Sequence, residues 1–593
     1  MNRHLALTYP EMSSKFVGGG KAMRNPRTWL AVAVLSLLSL LVYRAAFGAY
    51  FMLDDFGMLA IARFIDNPLE PFLRQHIPGG LYYRPVGMLV WWTSERFFSN
   101  DPFAHYLINL VLHQCVAVAI WALLARFCES YWGGFIAALA FACHPIALGT
   151  TLWLSDRFDL LALLFGLLGI RAALAHERTA SQRAFAAPLL LLTLSLLCKE
   201  IALASFAAAA VIWLRPGHFA PWSRRLAACA LLGVPVLAML LVRTLLLPHP
   251  VANSLLQDDD PMRMFRVGIH NWLSGWIDYA TFWPRLSGWK RLSIAGALIL
   301  AIVLSIRAAT LPWDARRQQA FMAGLVMCLS TALLQWPLLA HFGVNLSTST
   351  SPLEVVINAR YFYASLAGFL IAATALLGPL FLRSAATRAM LLLACALSIL
   401  PWISASQNLA REHRTQTRAL APVVASAVRA IGDLRLPKMD CQLYLLDVGI
   451  WSFDWISDEA IKAMYPDLER VERCLIQTER TPWYHIAVGP VADPRDLRPL
   501  SLTRGNEEAI QPIGRGDFLT LNLDASAQIS PASNARFLSW QGSQFVDVTA
   551  AVLSGERRPA FYCVRPSSQC PVKNPGPAAA DQLSPNETES GGK

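Results

Sequence analysis

The chain reads as an α-helical polytopic membrane protein of about eleven transmembrane helices, followed by a small α/β domain. Three observations predict this. Charged residues are 15% of the 593 positions and hydrophobic ones 55%, where a soluble globular protein carries roughly a quarter charged residues. Apolar runs, recurring from residue 29 to residue 405, match the ~20 residues that cross a hydrocarbon core. The runs are Leu- and Ala-rich without two-residue alternation, so helices rather than barrel strands satisfy their backbone in lipid.

The elements follow in order. A basic, polar segment, 1–28, precedes the first run at 29–48. That run lacks the short apolar core and small-residue cleavage site of a signal peptide. It is read as an uncleaved span with the N-terminus in the cytoplasm. The first outer loop, 49–103, is too interrupted to cross and suits surface helices with aromatics at headgroup depth. Further spans are predicted near 104–125, 132–153, 159–175, 186–199, 201–214, 226–247, 291–306, 320–340, 360–382 and 389–405. Between them, 248–290 reads as an outer loop with a helix at, or partly entering, the membrane.

The net charge of +11 does not mark a nucleic-acid binder. Arg215, Arg224, Arg225, Arg307, Arg316, Arg317, Arg383 and Arg388 sit in short segments on one predicted side, as the positive-inside rule requires. An odd number of spans then places 406–570 outside, as an extracytoplasmic α/β domain. Helices are predicted at 418–431 and 457–478, and strands at 441–448, 483–488 and 518–523. Cys441, Cys474, Cys563 and Cys570 can form two disulfides there, with Cys563–Cys570 the local pair and Cys441–Cys474 the remainder. The tail, 571–593, has a disordered composition. The localisation this implies is a bacterial inner membrane, multi-pass, with the C-terminal domain periplasmic.

Several constellations can carry chemistry, each with a plainer alternative. Asp54 and Asp55 follow the first span directly. Paired carboxylates at a membrane exit are costly unless functional, and one can act as general base on a hydroxyl. A solvated, helix-capping turn is the alternative. Arg84, in YYRPV, can bind a phosphate or snorkel as an interfacial anchor. Asn109 and His113 share a helix face and either line a cavity or bond between helices. Asp156, Arg157 and Asp159 form a tight cluster, either self-paired or with Arg157 facing an anionic headgroup. Lys199 suits a phosphate or pairs with Glu200. Arg360 lies where an outer loop re-enters the membrane. Asp258-Asp259-Asp260 is a solvated loop or, less simply, a metal site.

By this topology, Asp54, Asp55, Arg84, Asp156, Arg157, Lys199 and Arg360 share one membrane face. Acids for a hydroxyl and cations for a phosphate suit group transfer from a polyprenyl-phosphate donor.

The ordered segments LDDFGMLA, YYRPV, DPFAHYLINLVLH, HPIALGTTLWLSDRFDLLALLFGLL, LLCKEIAL and NARYFYASL resemble the GT-C superfamily of membrane glycosyltransferases. Within it they are similar to the protein O-mannosyltransferase-like, tetratricopeptide-linked branch, over roughly residues 29–405. The resemblance implies a GT-C-like transmembrane domain and a hexosyltransferase drawing on a polyprenyl-phosphate sugar donor. Asp55 or Asp54 would be catalytic, with Asp55 preferred. Arg84, Arg157, Lys199 and Arg360 would bind the carrier phosphate; Asp156 and His113 are further expected substrate contacts, from the reading of the residues themselves. The acceptor would be a protein, lipid or glycan hydroxyl. No cofactor is required, although a divalent cation can be held by Asp54 and Asp55. O-mannosyltransferases usually show Asp-Glu where this chain has Asp54-Asp55, and no tetratricopeptide array follows here. The competing readings are a lipid or polysaccharide transporter or flippase, and a non-catalytic envelope-assembly protein.

Overall fold

The structure, a computed structural model, describes residues 26–73, 83–127, 131–179, 182–215, 221–246, 260–341, 346, 351–434, 436, 442–450, 453, 456–471, 474–478, 484–488, 501–502, 510–513, 518–522, 529–530 and 535–557. It divides into two compact units, Met1–Pro422 and Val423–Lys593.

The first unit is helical. Its elements are α1 (Pro26–Tyr43), α2 (Asp54–Phe64), α3 (Pro85–Phe98), α4 (Pro102–Phe127), α5 (Tyr131–Cys143), α6 (Arg157–Thr179), α7 (Gln182–Leu196), α8 (Leu203–Leu214), α9 (Trp222–Leu246), α10 (Pro261–Thr281), α11 (Trp289–Ala309), α12 (Ala315–His341), α13 (Pro352–Ala359), α14 (Tyr363–Leu377) and α15 (Ala385–Arg418). Among the described residues, eight helices are long and apolar enough to cross a membrane, or nine if one bent pair is a single span. Two shorter apolar helices, Phe185–Leu196 and Glu200–Leu214, accompany them.

The span expected at 132–153, which contains Pro145, is a bent pair of helices. α5 stops at Cys143, and the chain turns by 55° before Pro145–Thr151. Pro145 has no N–H to continue the helix, and His144 Nδ1 accepts the Ile146 N–H at 3.1 Å to cap the new start. The last span also differs from the expected 389–405, since α15 continues to Arg418 and the compact unit ends at Pro422.

Small residues let the helices close up. Gly324 on α12 and Gly368 on α14 lie against each other's backbone, the packing that drives association in lipid where no hydrophobic force acts between helices. Arg317 is buried and donates to the carbonyls of Ala308, Ala375 and Leu376. It thereby satisfies the open C-terminal ends of α11 and α14. This basic residue, expected from the sequence to mark topology, has a structural role.

The second unit contains most of α16 (Leu420–Asp433), β1 (Gln442–Leu446), α17 (Ser457–Met464), β2 (Leu475–Thr478), β3 (Tyr484–Val488), β4 (Ser501–Leu502), β5 (Ile510–Ile513), β6 (Phe518–Asn522), β7 (Ile529–Ser530), β8 (Arg536–Trp540), β9 (Phe545–Asp547) and α18 (Thr549–Leu553). The main sheet runs β2-β1-β8-β9. β1 is parallel to β2 and β8, with Tyr444 opposite Phe537, and β8 is antiparallel to β9. Separate pairings give β3-β6-β5 and β4-β7. The single helix expected over 457–478 is corrected. α17 ends before Pro466, and Leu475–Thr478 joins the sheet as a strand, because its apolar residues pair with β1. Cys474 is disulfide-bonded. Cys441, Cys563, Cys570 and the 571–593 tail lie outside the described residues.

Candidate active site

The two aspartates open α2, and their surroundings separate them. The loop before α2 is anchored at Tyr50, whose N–H donates to Thr417 Oγ1 at 3.1 Å and whose carbonyl accepts the Tyr106 hydroxyl at 3.0 Å. Leu53 then takes φ 42°, a left-handed conformation that disfavours a branched side chain and is retained only where neighbours impose it. The neighbour here is Asp55. Its Oδ2 accepts the Met52 N–H at 3.1 Å, and its Oδ1 accepts both the N–H and the hydroxyl of Ser155, at 2.7 and 2.9 Å. Asp55 is fully buried. Burial pushes its carboxyl up to about 7, against the pull of those three donors and with a further push from Asp54.

Asp54 is exposed yet has protein packed around it. That crowding raises its carboxyl above the ordinary range, and the positive charge of Arg360 offsets part of the rise. The two aspartates thus differ in their surroundings: both Asp55 oxygens accept hydrogen bonds from Met52 and Ser155, whereas Asp54 is exposed.

Ser155 belongs to the turn Leu154–Asp156 that starts α6. Trp153, just before it, carries the Arg360 guanidinium 3.8 Å above its ring, a cation–π contact. Arg360 also donates to the Tyr361 hydroxyl at 2.9 Å. Gly149 permits this placement, because a Cβ there would collide with the Arg360 backbone nitrogen. The one turn 153–155 thus holds Asp55 on one side and Arg360 on the other.

Lys199 sits between Asp156, at 2.9 Å, and Asp159, which it also contacts. Burial opposes its ammonium form, but the two carboxylates prevail, and it titrates above its ordinary range. Arg84 pairs with Glu200 at 2.8 Å and lies over the Phe158 ring. It is brought there by the bond from Val86 N–H to the Leu197 carbonyl, 3.2 Å.

Two expected substrate contacts are corrected. Arg157 does not face a headgroup and is not paired within the Asp156–Asp159 cluster. It is fully buried, with bonds to Asn109 Oδ1 at 2.8 Å and Ser94 Oγ at 3.0 Å, a contact to His105 at 3.3 Å, and the Trp91 ring 4.2 Å away. His113 is fully buried as well. It bonds Tyr363 at 2.9 Å, lies 5.4 Å from the Phe141 ring, and reaches no open surface. Asn109, expected to share its role, donates instead to the Thr150 carbonyl at 3.1 Å. Both are bonds between helices, a reading the sequence left open.

Sequence reasoning missed Ser155 and Trp153 as site residues. Their adjacency to Asp156 in the SDRFD motif was the available signal. Arg243, which faces Glu200 at 3.6 Å, gave none. Asp258, Asp259, Arg74, His76 and Tyr82 lie outside the described residues, and Asp260 caps α10 through the Arg263 N–H. Among the described residues, no group of three or more His, Cys, Asp or Glu could hold a metal ion.

No family model matches the chain. A stretch of 164 residues, 25% of the chain, is 27% identical to the protein O-mannosyl-transferase tmtc2 of Xenopus laevis. A stretch of 165 residues is 27% identical to TMTC2 of Mus musculus. The chain spans 19% of the length of either relative. Among solved structures, ArnT from Cupriavidus metallidurans bound to undecaprenyl phosphate overlaps 84% of this chain and 98% of its own, at 13% identity and a TM-score of 0.39. The apo form overlaps to the same extent, at 14% identity and a TM-score of 0.32.

Proposed function

We propose that this chain is a GT-C-type membrane glycosyltransferase. It moves a sugar from a polyprenyl-phosphate carrier to an acceptor hydroxyl on the outer face of a bacterial inner membrane, with its N-terminus cytoplasmic and its C-terminal domain periplasmic. The observation that carries the reading is the division of labour between the aspartates: Asp55 is locked by three donors while Asp54 stays open beside the fixed cation Arg360. The sequence similarity to protein O-mannosyl-transferases supports a membrane glycosyltransferase and a hydroxyl acceptor.

Asp54 takes the proton of the acceptor hydroxyl as its oxygen bonds to the anomeric carbon. The bond from that carbon to the phosphate oxygen breaks, and the polyprenyl phosphate leaves with the electron pair. Arg360, with Lys199 and Arg84 nearby, stabilises the charge as it develops on the phosphate. Attack opposite the leaving group inverts the anomeric centre. No cofactor enters the scheme.

The test is release of polyprenyl phosphate from a panel of polyprenyl-phosphate sugars by the purified protein in nanodiscs, with mass spectrometry of envelope glycans and glycoproteins from a deletion strain. Sugar-dependent release abolished by Asp54→Asn supports the proposal. Lipid movement between leaflets without bond cleavage would replace it with a transporter, and full activity in Asp54→Asn would overturn it.

A further inference from the structure

Glu200 sits between two arginines. Its Oε2 accepts both Nε and Nη2 of Arg84, at 3.2 and 2.8 Å. Its Oε1 is buried without a hydrogen-bond partner, and Arg243 Nη1 lies 3.6 Å away. One side of the carboxylate is well bonded, and the other is held only by a loose ionic contact. A carboxylate oxygen removed from water and left unbonded is costly, so this arrangement is poised for exchange with an anion that fills both guanidinium faces.

The two arginines come from different depths of the fold. Arg243 is in the last turn of α9, and only 11% of the apolar window of that helix is buried within the protein, the lowest share of the eight long helices. That helix presents most of its apolar surface to the outside of the protein, as a span facing lipid does, and Arg243 lies in its last turn. Arg84 is only 12% exposed and lies over Phe158. Phe158 is next to Asp159, which Lys199 holds together with Asp156. The charged groups thus form a row from the lipid-facing helix inward toward Arg360 and Asp54.

A polyprenyl phosphate has its tail in the bilayer and its phosphate at the surface, so it must approach sideways. A phosphate matches two guanidinium groups better than one carboxylate does, since each fork can take two of its oxygens. We infer that Arg84 and Arg243 form an entry site for a lipid-borne phosphate, with Glu200 as the counter-ion that the phosphate displaces. This rests on the proposed function for the identity of the lipid, not for the site itself.

The experiment measures equilibrium binding of sugar-free polyprenyl phosphate to the full-length protein in nanodiscs. Glu200→Gln removes the competing anion and is expected to tighten binding about fivefold or more, while Arg243→Gln weakens it by a similar factor. A purely structural Glu200 has the opposite sign, so weaker or unchanged binding in Glu200→Gln overturns the inference. Arg243→Gln, on the lipid-facing helix, keeps the test decisive if Glu200→Gln fails to fold: no loss of affinity there also overturns it. Competition by phosphatidic acid in the same discs supports a site for lipid phosphates in general, and its absence supports one selective for the polyprenyl carrier. Displacement by inorganic phosphate at equal concentration would overturn lateral entry. Asp54→Asn separates the two ideas: if it transfers sugar normally, the catalytic reading fails while the binding results still decide the entry site.

Discussion

Ser155 donates twice to Asp55, through its backbone N–H at 2.7 Å and its hydroxyl at 2.9 Å, across 100 positions of sequence. This contact joins the first outer loop to the turn that carries Trp153, and so relates Asp54 to Arg360. Most of the expected behaviour of the site follows from it.

The two aspartates should fail differently. Asp54→Asn is expected to lower kcat by at least about 100-fold, the scale of losing a general base, with little change in the melting temperature in detergent. Asp55→Asn presents an amide N–H toward Met52 or Ser155, where only donors now point. Its expected signature is a lower melting temperature together with reduced kcat. Equal activity losses at unchanged stability in both variants would remove the distinction drawn between them.

The pH dependence follows from the direction of the shifts. A carboxylate acts as base or acceptor only when ionised, and both aspartates ionise above the ordinary range. Activity should therefore fall as pH drops, starting near 7, where Asp55 takes up a proton and loses an acceptor for Ser155 or Met52. In Asp55→Asn the limb near 7 should disappear, leaving a limb set by Asp54. Stability has the opposite sign for such a group: ionising a buried carboxylate whose folded value is raised costs folding free energy as pH climbs from about 4 toward about 7. A melting temperature that rises with pH through that window in the wild type, and equally in Asp55→Asn, would contradict this account.

Arg360 should not tolerate lysine. The planar guanidinium covers Trp153 at 3.8 Å, and a lysine keeps the charge but loses the stack and the fork. Arg360→Lys is expected to raise KM for the lipid-linked donor about tenfold, near the 1–2 kcal/mol of a desolvated cation–π contact. Gly149→Ala should reduce kcat by up to about 100-fold with Arg360 intact, since a shift of the order of 1 Å in a positioning group costs that much. Steady-state kinetics of the two variants in nanodiscs separates them.

Arg157 is expected to act on stability. Its cage of Asn109, Ser94, His105 and Trp91 would leave several polar groups unpaired on truncation. Arg157→Ala should cost about 3–5 kcal/mol, seen as a lower melting temperature and poor yield in detergent. Added polyprenyl phosphate should bind the folded fraction with unchanged affinity. A selective loss of that binding, with stability intact, would return Arg157 to the substrate.

The membrane architecture was legible because hydropathy is a local property. Runs such as 29–48 and 104–125 declare themselves over about 20 residues, and the helices α1 and α4 lie over them. The break at His144-Pro145 was less legible, since proline both ends and kinks helices and the sequence does not say which. The strand at Leu475–Thr478 was read as helix because its sheet partner β1 lies some thirty residues away.

What the sequence alone determined was the class of protein, a polytopic helical membrane protein, and a shortlist of charged residues that contains Asp54, Asp55, Lys199 and Arg360. Only the tertiary structure decided which groups each of those charges is folded against. Asp55 is engaged by Ser155, Lys199 by Asp156 and Asp159, and Arg157 by residues from α3 and α4. The partners lie 40 to 100 positions away in every case. No local pattern encodes such distances, because a charge buried in low dielectric is governed by the groups folded against it and not by its neighbours in the chain.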